Sequence, residues 1–352
     1  MDYEQFKESF ERDIKGLMED RGLNVKINST HMEKLNESYD AISITPEGSQ
    51  IGVNANLNHI FKAIERGVNY EEVAAKAADS IAANLQNTPD INIDNLMNYD
   101  HMKSKLTMEV VSAERNADML RNVPHEQMED MAVVYRLVLS ESTDGRSSIL
   151  VTNNLMNQFG ITHDQLREDA MKNAPEIRPS EIKGMCEVMN ELMGHDLMPE
   201  LSPQDEQMFV ASVPDKVHGA GVIAYPNFFE EAAEKLGGDY YVLPSSIHEV
   251  LLVRDNGQMT SKELEAMVRD VNATQVAPEE QLTDHVYHYD SKDHVFEMAD
   301  KFEERKAERE ELSSEKASVL DDLKAKKEEI AKSAPENHEK PVVNKSKGGE
   351  AL

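Results

Sequence analysis

The segment Pro244-Ser245-Ser246-Ile247-His248-Glu249 sets two hydroxyls, an imidazole and a carboxylate within six residues. These are the types that a nucleophile, its base and an orienting acid require. The spacing opposes a local triad. The flanking runs 240–243 and 247–253 have β composition, and neighbours on a strand, such as His248 and Glu249, point to opposite faces. The nucleophile-elbow pattern G-x-S-x-G is absent around these serines. The expectation is therefore a turn whose serine hydroxyls satisfy backbone groups. Read as a binding cluster, the same residues gain Tyr225 and Asn227, which lie where a short apolar run hands over to a helix. A helix N-terminus favours an anionic or polar group. Tyr225, Asn227, Ser245, Ser246, His248 and Glu249 are thus the candidate binding residues, and no residue is assigned a catalytic role.

A second grouping, Asp284, His285, His288, Asp290 and His294, has metal-ligand types. A closed zinc site needs about four convergent ligands. On one strand His285 and His288 face opposite sides, and His288 and His294 straddle a turn, so no metal ligand is assigned and no cofactor is expected. Gly219-Ala220-Gly221 lacks the G-x-G-x-x-G spacing and precedes a run that reads as a strand. Gly194-His195-Asp196 reads as the end of a helix. Walker A, H-E-x-x-H and kinase signatures are absent from the sequence.

The elements that would hold the candidate cluster are signalled locally in residues 219–257. Residues 220–225 are an apolar run suited to a buried strand. Pro226 stops it, and Asn227, with Glu230 three residues on, reads as the cap of a helix. Phe229, Ala232, Ala233 and Leu236 give that helix one apolar face, and Gly237-Gly238 ends it. Residues 240–243 and 247–253 then suggest a hairpin around Pro244-Ser245-Ser246. Val250–Val253 is apolar on both faces, as a covered central strand would be.

Upstream, residues 3–21 form an amphipathic helix whose stripe is Phe6, Phe10, Ile14, Leu17 and Met18. Strands are expected at 25–27, 40–45, 50–54, 106–112, 131–140, 147–152 and 208–213. Helices are expected at 57–66, 70–85, 164–173, 181–193 and 264–272, with Thr162–Gln165 and Thr260–Glu263 as capping boxes. Residues 87–98 read as a connector, Thr143-Asp144 as part of a hairpin turn, and 286–290 with 294–298 as a last hairpin.

The chain has 352 residues, 39% of them hydrophobic, and a formal charge of −30. So acidic a protein is poorly matched to nucleic acid or an anionic membrane surface, both of which need a positive footprint. Cys186 is the only cysteine, which excludes an internal disulfide and a cysteine zinc cluster. The acidic N-terminus does not resemble a signal peptide, and no run approaches the roughly 18 apolar residues of a membrane span. A cytoplasmic location is expected. The charge is uneven: residues 1–298 hold 53 acids against 25 bases, while 299–352 hold 14 against 12. Sparse, heptad-like apolar positions at Leu312, Val319, Leu323 and Ile330 leave a coiled coil and a solvated single helix open for 299–332. Residues 333–352 have the composition of a disordered tail.

Three segments carry a family resemblance: Ala113-Glu114-Arg115-Asn116 leading to Val123-Pro124-His125, then residues 131–136, then residues 243–250. They resemble an uncharacterised domain-of-unknown-function family met in gut Firmicutes, commonly among genes of mobile or accessory character. Residues 150–155 and 159–162 are similar to a second uncharacterised family, of bacilli. The resemblance spans about residues 1–298 and implies an α/β core, with no activity, cofactor or catalytic residue to transfer. The expected architecture is a mixed α/β (α+β) fold, a mixed sheet flanked by helices. It would have an N-terminal lobe at 1–120, a larger lobe at 121–298, a charged helix at 299–332 and a tail at 333–352. The function expected is a non-enzymatic protein-binding or regulatory module. The alternative is a hydrolase-type enzyme using a Ser/His site in residues 244–249.

Overall fold

The computed structural model describes residues 1–333 except 50, 87–92, 143–144, 195–198, 200 and 203. Its contacts divide the chain into one unit of residues 1–299 and a second beginning at Asp300. Phe6, Phe10, Ile14 and Met18, four residues apart, fix the first element. All four are fully buried on helix α1 (Tyr3–Asp20), which Asp2 and Gln5 start with a reciprocal capping box. Strands β1 (Val25–Lys34) and β2 (Glu37–Pro46) then form a long antiparallel hairpin closed by Leu35 and Asn36. The first three residues of β1 and residues 40–45 of β2 were legible. The middle of β1, Asn28-Ser29-Thr30-His31, is polar on both faces and carries no alternation. β3 (Val53–Asn56) completes this sheet, and α2 (Leu57–Glu65) and α3 (Tyr70–Gln86) join α1 over its Ile42–Ile44 face.

After α4 (Ile93–Leu96) and α5 (Tyr99–Met102) comes β4 (Leu106–Ser112), buried at every residue. A short α6 (Ala117–Leu120) leads into β5 (His125–Met128), β6 (Met131–Ser142) and β7 (Gly145–Leu150), and β6 pairs antiparallel with β4, β5 and β7. The turn expected at Thr143-Asp144 lies outside the described residues. Thr152 and Thr162 cap α7 (Asn153–Phe159) and α8 (His163–Ile177). Leu166, Ala170 and Ala174 seat α8 on the core beside β4, and the helix carries on through Pro175 rather than stopping at residue 173.

The helix expected at 181–193 is two elements. Its first four residues, β8 (Glu181–Gly184), pair with β9 (Met208–Ser212), and Gly184 turns the chain into α9 (Met185–Met193). Gly194 caps α9 in the left-handed region, while His195 and Asp196 lie outside the described residues.

Residues 220–225, expected as a strand, instead form a 3-10 turn at Gly219–Ala224 that lies along β4. Close approach explains the difference. A Cβ on Gly221 would stand 2.5 Å from the Met108 carbonyl oxygen, so the backbone covers the edge of β4 without pairing to it. Gly221→Ala should cost about 1–3 kcal/mol of stability, read from the urea midpoint, because backbone blocks the new methyl. An unchanged midpoint would place the turn further from β4 than described.

Helix α10 (Phe228–Leu236) follows, and Asn227 enters it in the left-handed region (φ +61°) with no capping side-chain bond. The reciprocity expected with Glu230 does not form; Glu230 accepts a bond from the Tyr289 hydroxyl at 3.1 Å. Strands β10 (Tyr240–Leu243) and β11 (Val250–Arg254) are antiparallel neighbours, but β11 begins three residues later than expected, so residues 244–249 are a loop. The Thr260–Glu263 capping box opens α11 (Ser261–Thr274), as expected. β12 (Tyr287–Asp290) and β13 (Val295–Met298) complete a six-stranded sheet of order β13-β12-β10-β11-β9-β8. The unit is thus an α/β fold of antiparallel sheets flanked by helices. The second unit is described through α12 (Ala299–Ser333), where Leu312, Val319 and Leu323 are all more than half exposed. The tail expected at 333–352 lies, from residue 334 on, outside the described residues. No described helix is long and apolar enough to cross a membrane.

Candidate functional site

Glu109 is the single charged residue of β4, and its side chain is 2% exposed. A carboxylate in that position needs charged or hydrogen-bonding company. Arg136 supplies part of it from β6. It lies diagonally across the pair, because Glu109 stands opposite Val134, and its Nε approaches Glu109 Oε1 to 3.6 Å while donating to Ser148 Oγ at 3.0 Å. His218 supplies the rest, with Nδ1 3.5 Å from Glu109 Oε2. His218 is held there by a left-handed backbone (φ +53°) at the entry to the 3-10 turn.

The same residue orients a second imidazole. The His218 backbone N–H donates to His248 Nδ1 at 3.2 Å, and the two rings stand 5.6 Å apart at 70°. An acceptor role for Nδ1 puts the proton of a neutral His248 on Nε2, which faces Glu280 Oε1 at 3.4 Å. The loop carrying His248 is fixed from several sides. Ser246 Oγ accepts from the His248 N–H at 3.1 Å, and Ser212 Oγ donates to the His248 carbonyl at 2.7 Å. The Ile247 N–H donates to the Glu280 carbonyl at 2.9 Å, and the Leu282 N–H to the Ser245 carbonyl at 3.1 Å.

The tip of the β1–β2 hairpin closes the remaining side. The Asn36 N–H donates to Asn116 Oδ1 at 2.7 Å, and Asn36 Nδ2 donates to the carbonyls of Glu279 and Gln281 at 2.9 and 2.8 Å. Between tip, sheet and loop lies a cleft of about 440 Å³. Its apolar lining includes Leu35, Met119, Leu150 and Ile247, and its charged lining is Glu33, Glu37, Glu279 and Glu280 against Lys34 and Arg136. With Glu109 beneath His218, carboxylates outnumber permanent cations. The field favours a cationic group, whereas the helix-terminus reading of the sequence favoured an anionic or polar one.

Of the six residues singled out from sequence, His248 lines the cleft, while Ser245 and Ser246 build its loop. Tyr225 is buried in the main core, Asn227 is exposed at the start of α10, and Glu249 is partly exposed; none of these three lines the cleft. Neither serine hydroxyl bonds the His248 ring. Sequence reasoning missed Glu109, Arg136, His218 and Glu280. The readable signal was a lone carboxylate inside the apolar run 106–112.

The second grouping separates to different partners. His285 Nδ1 lies 2.9 Å from Asp130, fully buried His288 lies 3.1 Å from Asp255, and His294 lies 3.3 Å from the Tyr289 hydroxyl. Among the described residues no three or more His, Cys, Asp or Glu converge to hold a metal ion.

The model of a family of unknown function (DUF5688) matches residues 3–291. No curated protein matches the chain, and no solved structure does.

Proposed function

We propose that this chain, which belongs to the DUF5688 family of unknown function, is a cytoplasmic, non-enzymatic protein-binding module with a regulatory role, and that the hairpin-tip cleft receives a basic segment of its partner. The observation that carries this reading is the cleft's lining. Four carboxylates surround it against two permanent cations, over a buried fifth carboxylate at Glu109. A lysine or arginine side chain entering between Glu279 and Glu280 would meet opposite charge at the rim and the His248 ring below it. Such complementarity sets specificity and association rate more than raw affinity. A hydrolase built on Ser245 or Ser246 has less support, because neither serine hydroxyl bonds the His248 ring and Ser246 Oγ accepts the His248 backbone N–H instead.

Affinity capture from extract of the native host, with mass spectrometry, tests the reading. The full chain and its Glu279→Lys/Glu280→Lys variant would be compared. Both positions are at least partly exposed, so the fold should survive. Recovery of the partner should fall about tenfold or more in the variant. Equal recovery would overturn the cleft as the recognition site.

A further inference from the structure

β1 is an end strand of its sheet, and its outer edge carries backbone groups whose direction follows from the ladder. The Glu47 N–H donates to the Asn24 carbonyl at 2.9 Å, so 24 and 47 are a hydrogen-bonded pair. Antiparallel ladders alternate such pairs with non-bonded ones. In the observed register, Lys26 with Thr45, Asn28 with Ser43 and Thr30 with Ala41 therefore bond inward. Val25, Ile27, Ser29 and His31 turn their N–H and carbonyl groups away from β2. Among the described residues no hydrogen bond reaches those outward groups.

This edge is unlike the others. β1 is ten residues long without proline, whereas among the other end strands β3, β5, β8 and β13 have four each and β7 has six. The end strand β4 is covered by the 3-10 turn. A long open edge is a template for another strand, and natural sheets blunt such edges unless they are used.

We infer that β1 is a homodimer interface: it pairs antiparallel with β1 of a second copy of this chain, across a two-fold axis at Ser29, and joins two three-stranded sheets into one of six. The axis matches the outward groups to one another, Ser29 with Ser29 and Ile27 with His31 of the second copy. Charge selects a second copy as the occupant. Alongside the edge runs an open groove of about 920 Å³ whose helical wall includes Glu8, Glu11, Arg12 and Lys15 of α1. Glu11 accepts from Ser29 Oγ at 2.8 Å, which sets the level of the helix against the strand. Glu8 then lies toward His31 and Lys15 toward Ile27. The two-fold axis brings Glu8 of each copy to Lys15 of the other. On the opposite face of the sheet Lys26 meets Met32, and Asn28 meets Thr30; on the helix face the axis sets Glu11 toward Glu11, each carboxylate bonded to Ser29 Oγ of its own strand, between the two Glu8–Lys15 pairs. The −30 charge of each chain opposes association at long range, but at physiological ionic strength it is screened beyond about 8 Å.

Sedimentation equilibrium of the full chain tests this. The wild type should be a dimer and Ile27→Pro a monomer with the same circular dichroism, since this proline removes an outward N–H and leaves the ladder whole. Should Ile27→Pro fail to fold, charge exchange tests the same surface. Glu8→Lys alone and Lys15→Glu alone should each weaken the dimer, about tenfold in Kd, and the double exchange should restore it. A wild type that is monomeric at every concentration overturns the interface, including the case in which another protein's strand occupies the edge. So does a dimer that folded Ile27→Pro or both single exchanges leave intact. Binding at the hairpin-tip cleft should persist in Ile27→Pro, so the two surfaces stand or fall separately.

Discussion

Leu252→Asp should abolish cooperative folding of the first unit. Leu252 is 0% exposed on β11, flanked by β10 and β9 in the middle of the six-stranded sheet, opposite Val242 on one side and Phe209 on the other. Losing its apolar burial costs about 2–5 kcal/mol. An aspartate there has no partner, and leaving a charged or polar group so placed costs several kcal/mol more. Together these approach the roughly 5–15 kcal/mol that holds a typical domain folded. Urea titration followed by circular dichroism should show no sigmoidal transition. The run Val250–Val253 does not distinguish its members in sequence, but Leu251 is partly exposed, and Leu251→Asp should unfold at a lower urea midpoint and still cooperatively. A soluble, cooperatively folding Leu252→Asp would contradict the central placement of β11.

Asp130→Ala should be the next most damaging change, at roughly 2–4 kcal/mol. Asp130 lies in the two-residue turn between β5 and β6 and reaches three side chains of the segment that leads into β12. Thr283 Oγ1 donates to it at 2.8 Å, His285 Nδ1 stands at 2.9 Å, and the Tyr287 hydroxyl donates to its other oxygen. The alanine takes the carboxylate acceptor from the fully buried Tyr287, leaving Thr283 as the partner of its hydroxyl. Burial by itself would raise the Asp130 carboxyl, but the bonds from Tyr287, His285 and Thr283 outweigh it and hold the carboxyl below the ordinary carboxylate range. A group whose folded-state pKa lies below its unfolded value contributes fully at neutral pH, and that contribution disappears as pH falls through the folded-state pKa. Asp130→Asn should therefore narrow its stability gap to wild type as the pH drops from about 6 toward 3. A gap that stays constant over that range would mean the carboxylate is not engaged as described.

The two kinds of feature differ in how far they could be read. Elements that bury one face and start on a local cap were legible: α1 with its four-residue stripe, α11 behind Thr260–Glu263, and the hairpins of β6 with β7 and β12 with β13. Elements defined by a distant partner were not. The run Glu181–Gly184 has helical neighbours and becomes a strand only because β9 offers an edge. Residues 220–225 have strand composition, yet Gly221 lets them lie flat against β4 as a 3-10 turn, while Gly219 lets its start approach Ser212 and the His248 carbonyl. The candidate site obeys the same rule. His248 stood out because hydroxyls and an acid lie beside it in sequence. Its working neighbours Glu109, Arg136, His218 and Glu280 come from four other segments, and no spacing rule links them. Of the serines that made the motif conspicuous, Ser246 takes the His248 backbone N–H on its hydroxyl oxygen, and Ser245 is tied to Leu282 through its backbone carbonyl.

The most direct measurement for the cleft is the histidine side-chain NMR spectrum of the full chain, titrated with a lysine-rich peptide and, separately, with a glutamate-rich peptide of equal length. The lysine-rich peptide should shift His218 and His248 saturably and leave His285 and His294 in place, and Glu279→Lys/Glu280→Lys should abolish those shifts. The glutamate-rich peptide should move neither imidazole. No shift at His218 and His248, or equal shifts with both peptides, would contradict a cleft that recognises a basic segment.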